Sequence, residues 1–272
     1  MFRSSIVAVL LNAVTAGAAL ACPTGSDTSP VDIYPSGDVV PENLLRIYVY
    51  FPRPMSQQVG ASDIELYGPH GERIDNAFLP NRYDLWSADR TRLTLLLDPG
   101  RVKTGLNAHE QLGRALIVGQ TVTLRVPGSL EDQQGCALQR TTEKTYTVGT
   151  EDLDPPSPAR WTLSVPETDT RQALRIDLAS PHDHVSLAYR LRVFSKAGAP
   201  IAGTLSLEGH ESVWTFEPLK AWQAQSYEVR IAPELEDLAG NRPGILFDRP
   251  PNTPRSAWQN SITFRPKDQA DG

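Results

Sequence analysis

The residues best suited to chemistry in this sequence are two histidines on either side of a carboxylate, His182, Asp183 and His184. Two imidazoles and a carboxylate are ligands that a transition metal accepts. On a strand, however, residues two apart share a face and the residue between them points away, so a third ligand must come from elsewhere. We therefore predict a solvated strand end or loop at this position, and no metal site.

Carboxylates also occur in adjacent pairs, but their spacing does not suit catalysis. Adjacent residues of an extended chain point to opposite faces, whereas a glycosidase needs two carboxyl groups that face each other. The serines lack a G-x-S-x-G elbow, and Cys136 lies in a polar turn without a nearby histidine. We predict no enzyme, no catalytic residue and no cofactor. The pairs are Glu131-Asp132, Glu151-Asp152 and Glu236-Asp237.

Two of these pairs belong to one motif that occurs twice, as "SLEDQQGCALQ" and "ELEDLAGNRPG". Asp237 and Asn241 are weak calcium candidates, because calcium takes six to eight oxygen ligands and the local sequence offers too few. Aspartate instead favours a turn in which it accepts hydrogen bonds from backbone amides, and glycine tolerates a positive φ there. We predict that Asp132, Gly135, Asp237, Gly240 and Asn241 are structural turn residues.

The first residues, "MFRSSIVAVLLNAVTAGAALAC", have the three parts of a secretory signal peptide, which predicts removal of residues 1–21. Cys22 would then be the first residue of an exported, periplasmic or cell-surface protein. It is a lipidation candidate, as in bacterial lipoproteins, and a membrane partner is expected only in that case. A free thiol and a disulfide to Cys136 are the alternatives, although a disulfide would have to join a mobile N-terminus to an interior turn.

The overall composition excludes some partners and favours strands. The chain has 272 residues, enough for two domains, and a net charge of -6. No basic face is available for a phosphate backbone, so we predict no nucleic-acid partner. The 23 prolines and 19 glycines favour short strands joined by turns.

An internal repeat organises these strands. Four short sequence segments of the first half, which we call landmarks, recur in the same order in the second half. The residue offset between the copies decreases along the chain, which places about 14 extra residues of the first copy between its third and fourth landmarks. Apolar and polar residues alternate within the landmarks, as they do in half-buried strands. The four pairs start at Asn43 and Gln172, Ile64 and Leu191, Leu93 and Ser212, and Ser129 and Glu234.

The repeat predicts an all-β fold of two tandem Ig-like antiparallel β-sandwiches. The first sandwich is predicted at 28–149 and the second at 161–266. Residues 150–160 form a proline-rich linker, because prolines keep a chain extended. Residues 267–272 form a polar tail.

Two stretches resemble the bacterial Ig-like domains of the SbsA type. "YPSGDVVPENLLRIYVYFPRPMS", Tyr34 to Ser56, is similar to that family's entry and first strand, and "YEVRIAPELEDLAGN", Tyr227 to Asn241, to its closing strand and turn. The first copy departs from the pattern at Cys136, which replaces Asn, and the second at Ser180 to His184. The resemblance implies an extracytoplasmic Ig-like sandwich without catalytic residues.

Tryptophans are the remaining candidates for binding. Sugar-binding modules present them on a flat face, but Trp214 lies in a strand and Trp222 in the connection after it, so we predict that both pack in the core. We therefore predict a non-catalytic exported Ig-like protein that acts as a cell-envelope binding or spacer module. Its partner would be an unknown envelope protein or glycan. The alternatives are a carbohydrate or cell-wall ligand-binding protein and an accessory subunit of an extracytoplasmic enzyme.

Overall fold

The computed structural model describes Cys22 and residues 30–79, 84–102, 113–250 and 252–268. The predicted signal peptide and most of the polar tail lie outside the described residues. The extra residues predicted between the third and fourth landmarks of the first copy are described only in part. No helix among the described residues is long and apolar enough to cross a membrane.

The first half of the chain forms two four-stranded sheets, with strand orders β1-β3-β6-β5 and β2-β8-β7-β4. All strand pairs are antiparallel except β2 with β8, which is parallel. A short helix, α1 (Pro99–Val102), follows β6, and a 3₁₀ turn at Ala61–Asp63 precedes β4. The strands are β1 (Asp32–Tyr34), β2 (Val39–Pro41), β3 (Arg46–Tyr50), β4 (Glu65–Tyr67), β5 (Leu85–Trp86), β6 (Arg92–Leu96), β7 (Thr121–Val126) and β8 (Thr142–Gly149).

The second half forms a four-stranded sheet, β12-β13-β10-β9, and a three-stranded sheet, β11-β14-β15. A second helix, α2 (His184–Arg190), lies between β10 and β11, and a 3₁₀ turn at Pro158–Arg160 precedes β9. The strands are β9 (Thr162–Ser164), β10 (Leu174–Asp177), β11 (Leu191–Ser195), β12 (Gly203–Glu208), β13 (Val213–Pro218), β14 (Tyr227–Ile231) and β15 (Ser261–Phe264).

The two halves have matching topology. The order β1-β3-β6-β5 becomes β9-β10-β13-β12, and β4-β7-β8 becomes β11-β14-β15. Equivalent pairs keep equivalent registers: Ile47 lies opposite Leu95, and Ile176 lies opposite Trp214. The predicted fold class, two tandem antiparallel β-sandwiches, is therefore confirmed. The exact boundaries, 28–149 and 161–266, stay a prediction.

Each sandwich has its own hydrophobic core. Alternation along the strands produces it, because side chains on β7 and β10 are buried at every second position. Burying one Leu or Val side chain contributes about 1.5–3 kcal/mol, so the inward faces of the strands dominate the stability. Leu93, Leu95 and Leu124 are fully buried in the first core, and Leu174, Ile176 and Val229 in the second.

Trp214 and Trp222 of the second sandwich pack in its core, as predicted. Trp214 and Trp222 are almost fully buried, and Trp161 is buried as well. The Trp222 indole Nε1 donates a hydrogen bond to the carbonyl of Gln172 at 2.8 Å, which satisfies its polar atom.

The prediction of a solvated strand end or loop at His182 to His184 is wrong, because His182 and Asp183 are buried. His182 is 1% exposed, and Asp183 is the N-cap of α2. The Asp183 carboxylate accepts a hydrogen bond from the Ser186 amide at 2.7 Å, which satisfies one of the free amides at the start of a helix. Only His184 lies in the helix, whereas Asp183 has an extended backbone and His182 pairs with Asp237 in an antiparallel bridge. The chain therefore leaves the extended conformation between the two histidines.

Candidate functional site at the sandwich junction

The two aspartate-glycine turns have the same hydrogen bonds. Asp132 Oδ1 accepts from the amides of Gln134 and Cys136, at 2.8 and 2.9 Å. Asp237 Oδ1 accepts from the amides of Ala239 and Asn241, at 2.9 Å each. Each carboxylate therefore organises its turn by taking the amides that would otherwise lack partners.

Both glycines of these turns adopt the left-handed conformation. Gly135 and Gly240 each have φ of +77°. The surroundings differ, because a Cβ on Gly135 would meet no atom within 4 Å, whereas a Cβ on Gly240 would lie 2.4 Å from Leu45 Cδ2. Leu45 immediately precedes β3, so the turn of the second sandwich packs on the first sandwich.

The two aspartates differ in charge compensation. Asp132 Oδ2 accepts a hydrogen bond from Arg53 Nε at 2.6 Å. Burial alone would raise the pKa of Asp132, but the Cys136 amide and the Arg53 guanidinium outweigh burial and lower it. Asp132 is therefore a stabilised anion.

Asp237 has no such cation. Its Oδ2 is buried and has no hydrogen-bond partner among the described residues. Burial, and next the charge of Asp152, raise the pKa of Asp237 well above its usual range. A proton on Asp237 therefore favours the folded state.

Cys136 and Asn241, which follow the two turn glycines, each bind a residue that lies before the sandwich to which the turn belongs. In the first sandwich Cys136 forms a disulfide with Cys22. In the second sandwich Asn241 Nδ2 donates to the carbonyl of Asp152, at 3.0 Å. The argument against a disulfide between Cys22 and Cys136 is thus overturned, because Cys22 lies at the first turn as Asp152 of the linker lies at the other. In this state the Cys22 sulfur has no free valence for a lipid.

The same carbonyl also binds the first sandwich. Asn43 Nδ2 donates to the Asp152 carbonyl at 3.0 Å, and Asn43 Oδ1 accepts from the Asp152 amide at 2.8 Å. Asn43 and Asn241 are both buried. The start of the linker is therefore held by one asparagine from each sandwich.

A direct contact between the sandwiches lies next to this clamp. The amide of Leu45 donates to the carbonyl of Leu238 at 2.9 Å, and Leu238 belongs to the core of the first sandwich. Glu236 is paired with Arg46, and it accepts from Arg242 Nε at 2.8 Å. The turn residues on either side of Asp237 thus dock on the first sandwich.

Buried polar side chains extend the contact. Tyr48 donates through its hydroxyl to Asp183 Oδ2 at 2.7 Å. Burial raises the pKa of both groups, although Arg46 opposes the shift. The pair joins β3 of the first sandwich to the cap of α2 in the second.

A second part of the junction is formed by the β12–β13 turn. Gly209, His210 and Glu211 all have positive φ, from 56° to 61°. Glu211 is buried and accepts a hydrogen bond from the Ser36 amide at 2.9 Å. Backbone strain of this kind persists only where the surroundings fix the conformation.

His184 completes this region. Its ring stacks on Tyr34 with centroids 3.6 Å apart, and its Nδ1 lies 3.5 Å from Glu211 Oε1. Burial would raise the pKa of Glu211, but His184 and the Ser36 amide outweigh burial and lower it. The two sandwiches therefore also meet here, through the Tyr34–His184 stack and the Ser36–Glu211 hydrogen bond.

The junction uses the oxygens that were considered for calcium. Asp237 Oδ1 is occupied by two amides, and Asn241 Oδ1 accepts from the Phe247 amide at 2.9 Å. No group of three or more His, Cys, Asp or Glu side chains suited to a metal occurs in the part of the chain that the structure describes. The arrangement is suited to holding two domains together.

Sequence reasoning did not find the residues that make this junction, above all Asn43, Arg46, Tyr48 and Asp183. They lie on separate sandwiches, so no local spacing links them. No local signal marks them either, because Arg46 and Tyr48 alternate with the core residues Ile47 and Val49 and lie on the outward face, where an isolated sandwich also carries polar side chains.

Neither a protein-family model nor a curated protein matches this chain. Among solved structures, it is similar to the Escherichia coli alpha-2-macroglobulin fragment spanning domains MG0-NIE-MG1, at 10% identity and a TM-score of 0.27, over 88% of this chain and 70% of that one. It is similar to the Ig1-2 module of the Drosophila receptor protein tyrosine phosphatase DLAR, at 13% identity and a TM-score of 0.24, over 76% and 93%. It is also similar to murine CEACAM1b, at 12% identity and a TM-score of 0.19, over 71% and 87%. The Ig-like architecture itself is described by the strand orders and registers above.

Proposed function

We propose that this chain is a non-catalytic, exported Ig-like protein of the SbsA type that serves the cell envelope as a rigid binding or spacer module. The observation that supports the proposal is the junction, where Asn43 and Asn241 hold the same linker carbonyl. A flexible linker would let each sandwich rotate independently, whereas a spacer must keep its two ends at a set distance and angle.

The contacts of the junction favour rigidity because they are buried and mutually dependent. Removing one partner of a buried hydrogen bond leaves the other unsatisfied, which costs about 1–3 kcal/mol. Separation of the sandwiches would expose the Tyr48–Asp183 pair and the Arg46–Glu236 pair at once. The module therefore resists bending in any direction that opens these contacts.

The rigid-module proposal is tested by small-angle X-ray scattering and calorimetry of the purified protein. We expect one compact scattering profile and one cooperative unfolding transition. The double variant Asn43→Ala, Asn241→Ala should broaden the distance distribution and split the transition, because the linker loses both clamps. The matched control is Asn260→Ala, which alters an exposed asparagine away from the clamp. Independent domain motion in the unaltered protein would contradict the proposal.

Export is tested separately by expressing the full chain, including its predicted signal peptide, in a bacterial host and analysing the recovered protein by mass spectrometry. We expect a mature N-terminus at Cys22, a Cys22–Cys136 disulfide and no acyl adduct, because one sulfur cannot carry both. Recovery of the uncleaved chain in the cytoplasmic fraction would contradict export.

A further inference from the structure

The second sandwich contains an insertion that the first does not. After the glycine turn, five residues (137–141) lead to β8, whereas nineteen (242–260) lead to β15. Insertions in one copy of a repeat map to loops and often form the binding face. The first sandwich makes the same connection with five residues, so the segment 242–260 is longer than closing the sheet requires.

The insertion packs across from the proline-rich linker and encloses a groove, which we call the insertion groove. Its larger part has a volume of 820 Å³ and lies between Leu153–Ala159 and Gly244–Gln259. A second part of 460 Å³ is lined by Arg242, Arg249 and Arg255. The two parts lie side by side, because four residues line both: Ile245, Leu246, Arg249 and Pro250. Each volume lies within the ~300–1,000 Å³ of typical ligand sites.

The groove carries positive charge on a negatively charged protein. Residues 242–260 hold three arginines and one aspartate, whereas the whole chain has a net charge of -6. Glu236 compensates Arg242. Arg249 donates to the carbonyl of Thr253 at 2.7 Å, and Arg255 to that of Pro233 at 3.0 Å, and neither is ion-paired with a carboxylate of the described residues. These two guanidinium groups are available to an anion.

The apolar residues of the groove indicate which kind of anionic ligand it suits. Trp258 is half-buried in the larger part, with the Arg255 guanidinium 5.8 Å from its ring centroid. Five prolines line the groove, at positions 155, 156, 158, 250 and 254. Proline has no N–H, so these walls offer few backbone donors to the main chain of a peptide. An aromatic ring beside arginine and amide side chains instead suits a sugar ring that bears a carboxylate.

From this combination we infer that the insertion groove binds an acidic polysaccharide, with Arg249 and Arg255 on the carboxylates and Trp258 against a sugar face. The inference rests on the proposed role as an envelope module and names its ligand class. It makes the second sandwich the binding end and leaves the first sandwich as support.

The test is a titration of the purified protein with oligogalacturonate, followed by calorimetry and tryptophan fluorescence. We expect saturable binding that weakens with salt, because the ion pairs are exposed. The double variant Arg249→Gln, Arg255→Gln should weaken binding about tenfold or more, since two charge-assisted contacts are lost. The variant Trp258→Phe should lose the fluorescence change.

The matched control is Arg171→Gln, Arg175→Gln, which removes the same charge from two exposed, ion-paired arginines elsewhere on the second sandwich. It should bind like the unaltered protein. A neutral galacto-oligosaccharide should not bind. Equal binding by the groove variant, tighter binding of poly-glutamate than of oligogalacturonate, or no binding of oligogalacturonate would overturn the inference. Neither export nor junction rigidity enters this titration, so its failure would leave the proposed function standing.

Discussion

At the scale of single residues, one aspartate turn occurs in two electrostatic environments. Asp132 is paired with Arg53, whereas Asp237 Oδ2 has no partner in the described chain and lies within the influence of Asp152. The lowered pKa of Asp132 means that its charged form stabilises the fold. The raised pKa of Asp237 means that its protonated form does.

Replacing each aspartate by asparagine should therefore change stability in opposite directions. Asp132→Asn should lower the free energy of unfolding at neutral pH by about 1.5–3 kcal/mol, because a charged hydrogen bond is lost. The loss should vanish at acid pH, since the contribution of Asp132 disappears as the pH falls through its lowered pKa.

Asp237→Asn should instead stabilise the protein increasingly as the pH rises. The contribution of protonated Asp237 is complete below about pH 4 and is lost as the pH rises through the raised pKa, and asparagine has no such loss. Urea unfolding of both variants from about pH 2 to pH 8 measures these slopes, because Asp132 titrates below the ordinary aspartate pKa of about 3.9. Parallel slopes for the two variants would contradict the assignment.

His182 gives a second residue-scale prediction. Burial lowers its pKa to about 4, and its Nε2 has no partner among the described residues. Met55 occupies the equivalent bridge to the aspartate turn in the first sandwich. His182→Met should therefore keep the neutral-pH stability within about 1.5 kcal/mol.

His182→Met should increase the free energy of unfolding at acid pH. Neutral His182 stabilises the fold above the unfolded pKa near 6.5, and this contribution is lost as the pH falls towards 4. The lost contribution is on the order of 3 kcal/mol, which the methionine variant avoids. Acid titrations followed by circular dichroism should place the midpoint of the variant at lower pH, and an unchanged midpoint would refute the role of His182.

At the scale of elements, substitutions at the two turn glycines distinguish backbone strain within a turn from a clash between the two sandwiches. Gly135→Ala should cost about 1–2 kcal/mol, because an L-residue is strained at positive φ and no neighbour interferes. Gly240→Ala should cost more, since its Cβ would lie 2.4 Å from Leu45 Cδ2. Thermal unfolding of both variants measures the difference.

The extra cost at Gly240 should depend on Leu45. In a double-mutant cycle with Leu45→Ala, the clash is absent, so the penalty of Gly240→Ala should fall towards that of Gly135→Ala. A coupling energy of about 1 kcal/mol or more is expected for residues in contact. Additive effects would show that the turn does not press on the first sandwich.

Much of the element level could be predicted from the sequence, because strands and turns are local. Alternation placed β3 and β10, and the recurrence of the "LED" motif placed both turns. The helix α2 could not be placed, since the Asp183 cap was interpreted as part of a strand. The junction could not be predicted either, because the partners of Asn43 and Tyr48 lie 109 and 135 residues away.

At the scale of the whole molecule, the repeat explains how the chain is tied together. Each turn holds the segment that enters its own sandwich, the first by a disulfide from Cys136 and the second by hydrogen bonds from Asn241. The first link is covalent, whereas the second is part of the packing of the second sandwich on the first.

The disulfide should therefore matter to the stability of the first sandwich. Closing a loop between residues 114 apart restricts the unfolded chain, and loops of this length correspond to about 4–5 kcal/mol in the chain-entropy description. Cys22→Ser, Cys136→Ser and the double variant should lower Tm equally, because each removes the same single bond. A reductant should lower the Tm of the unaltered protein to the same value and leave the variants unchanged. If the three variants differed strongly from one another, Cys136 would contribute through packing at its buried position, and the turn of the first sandwich would not act as an anchor for the N-terminal segment.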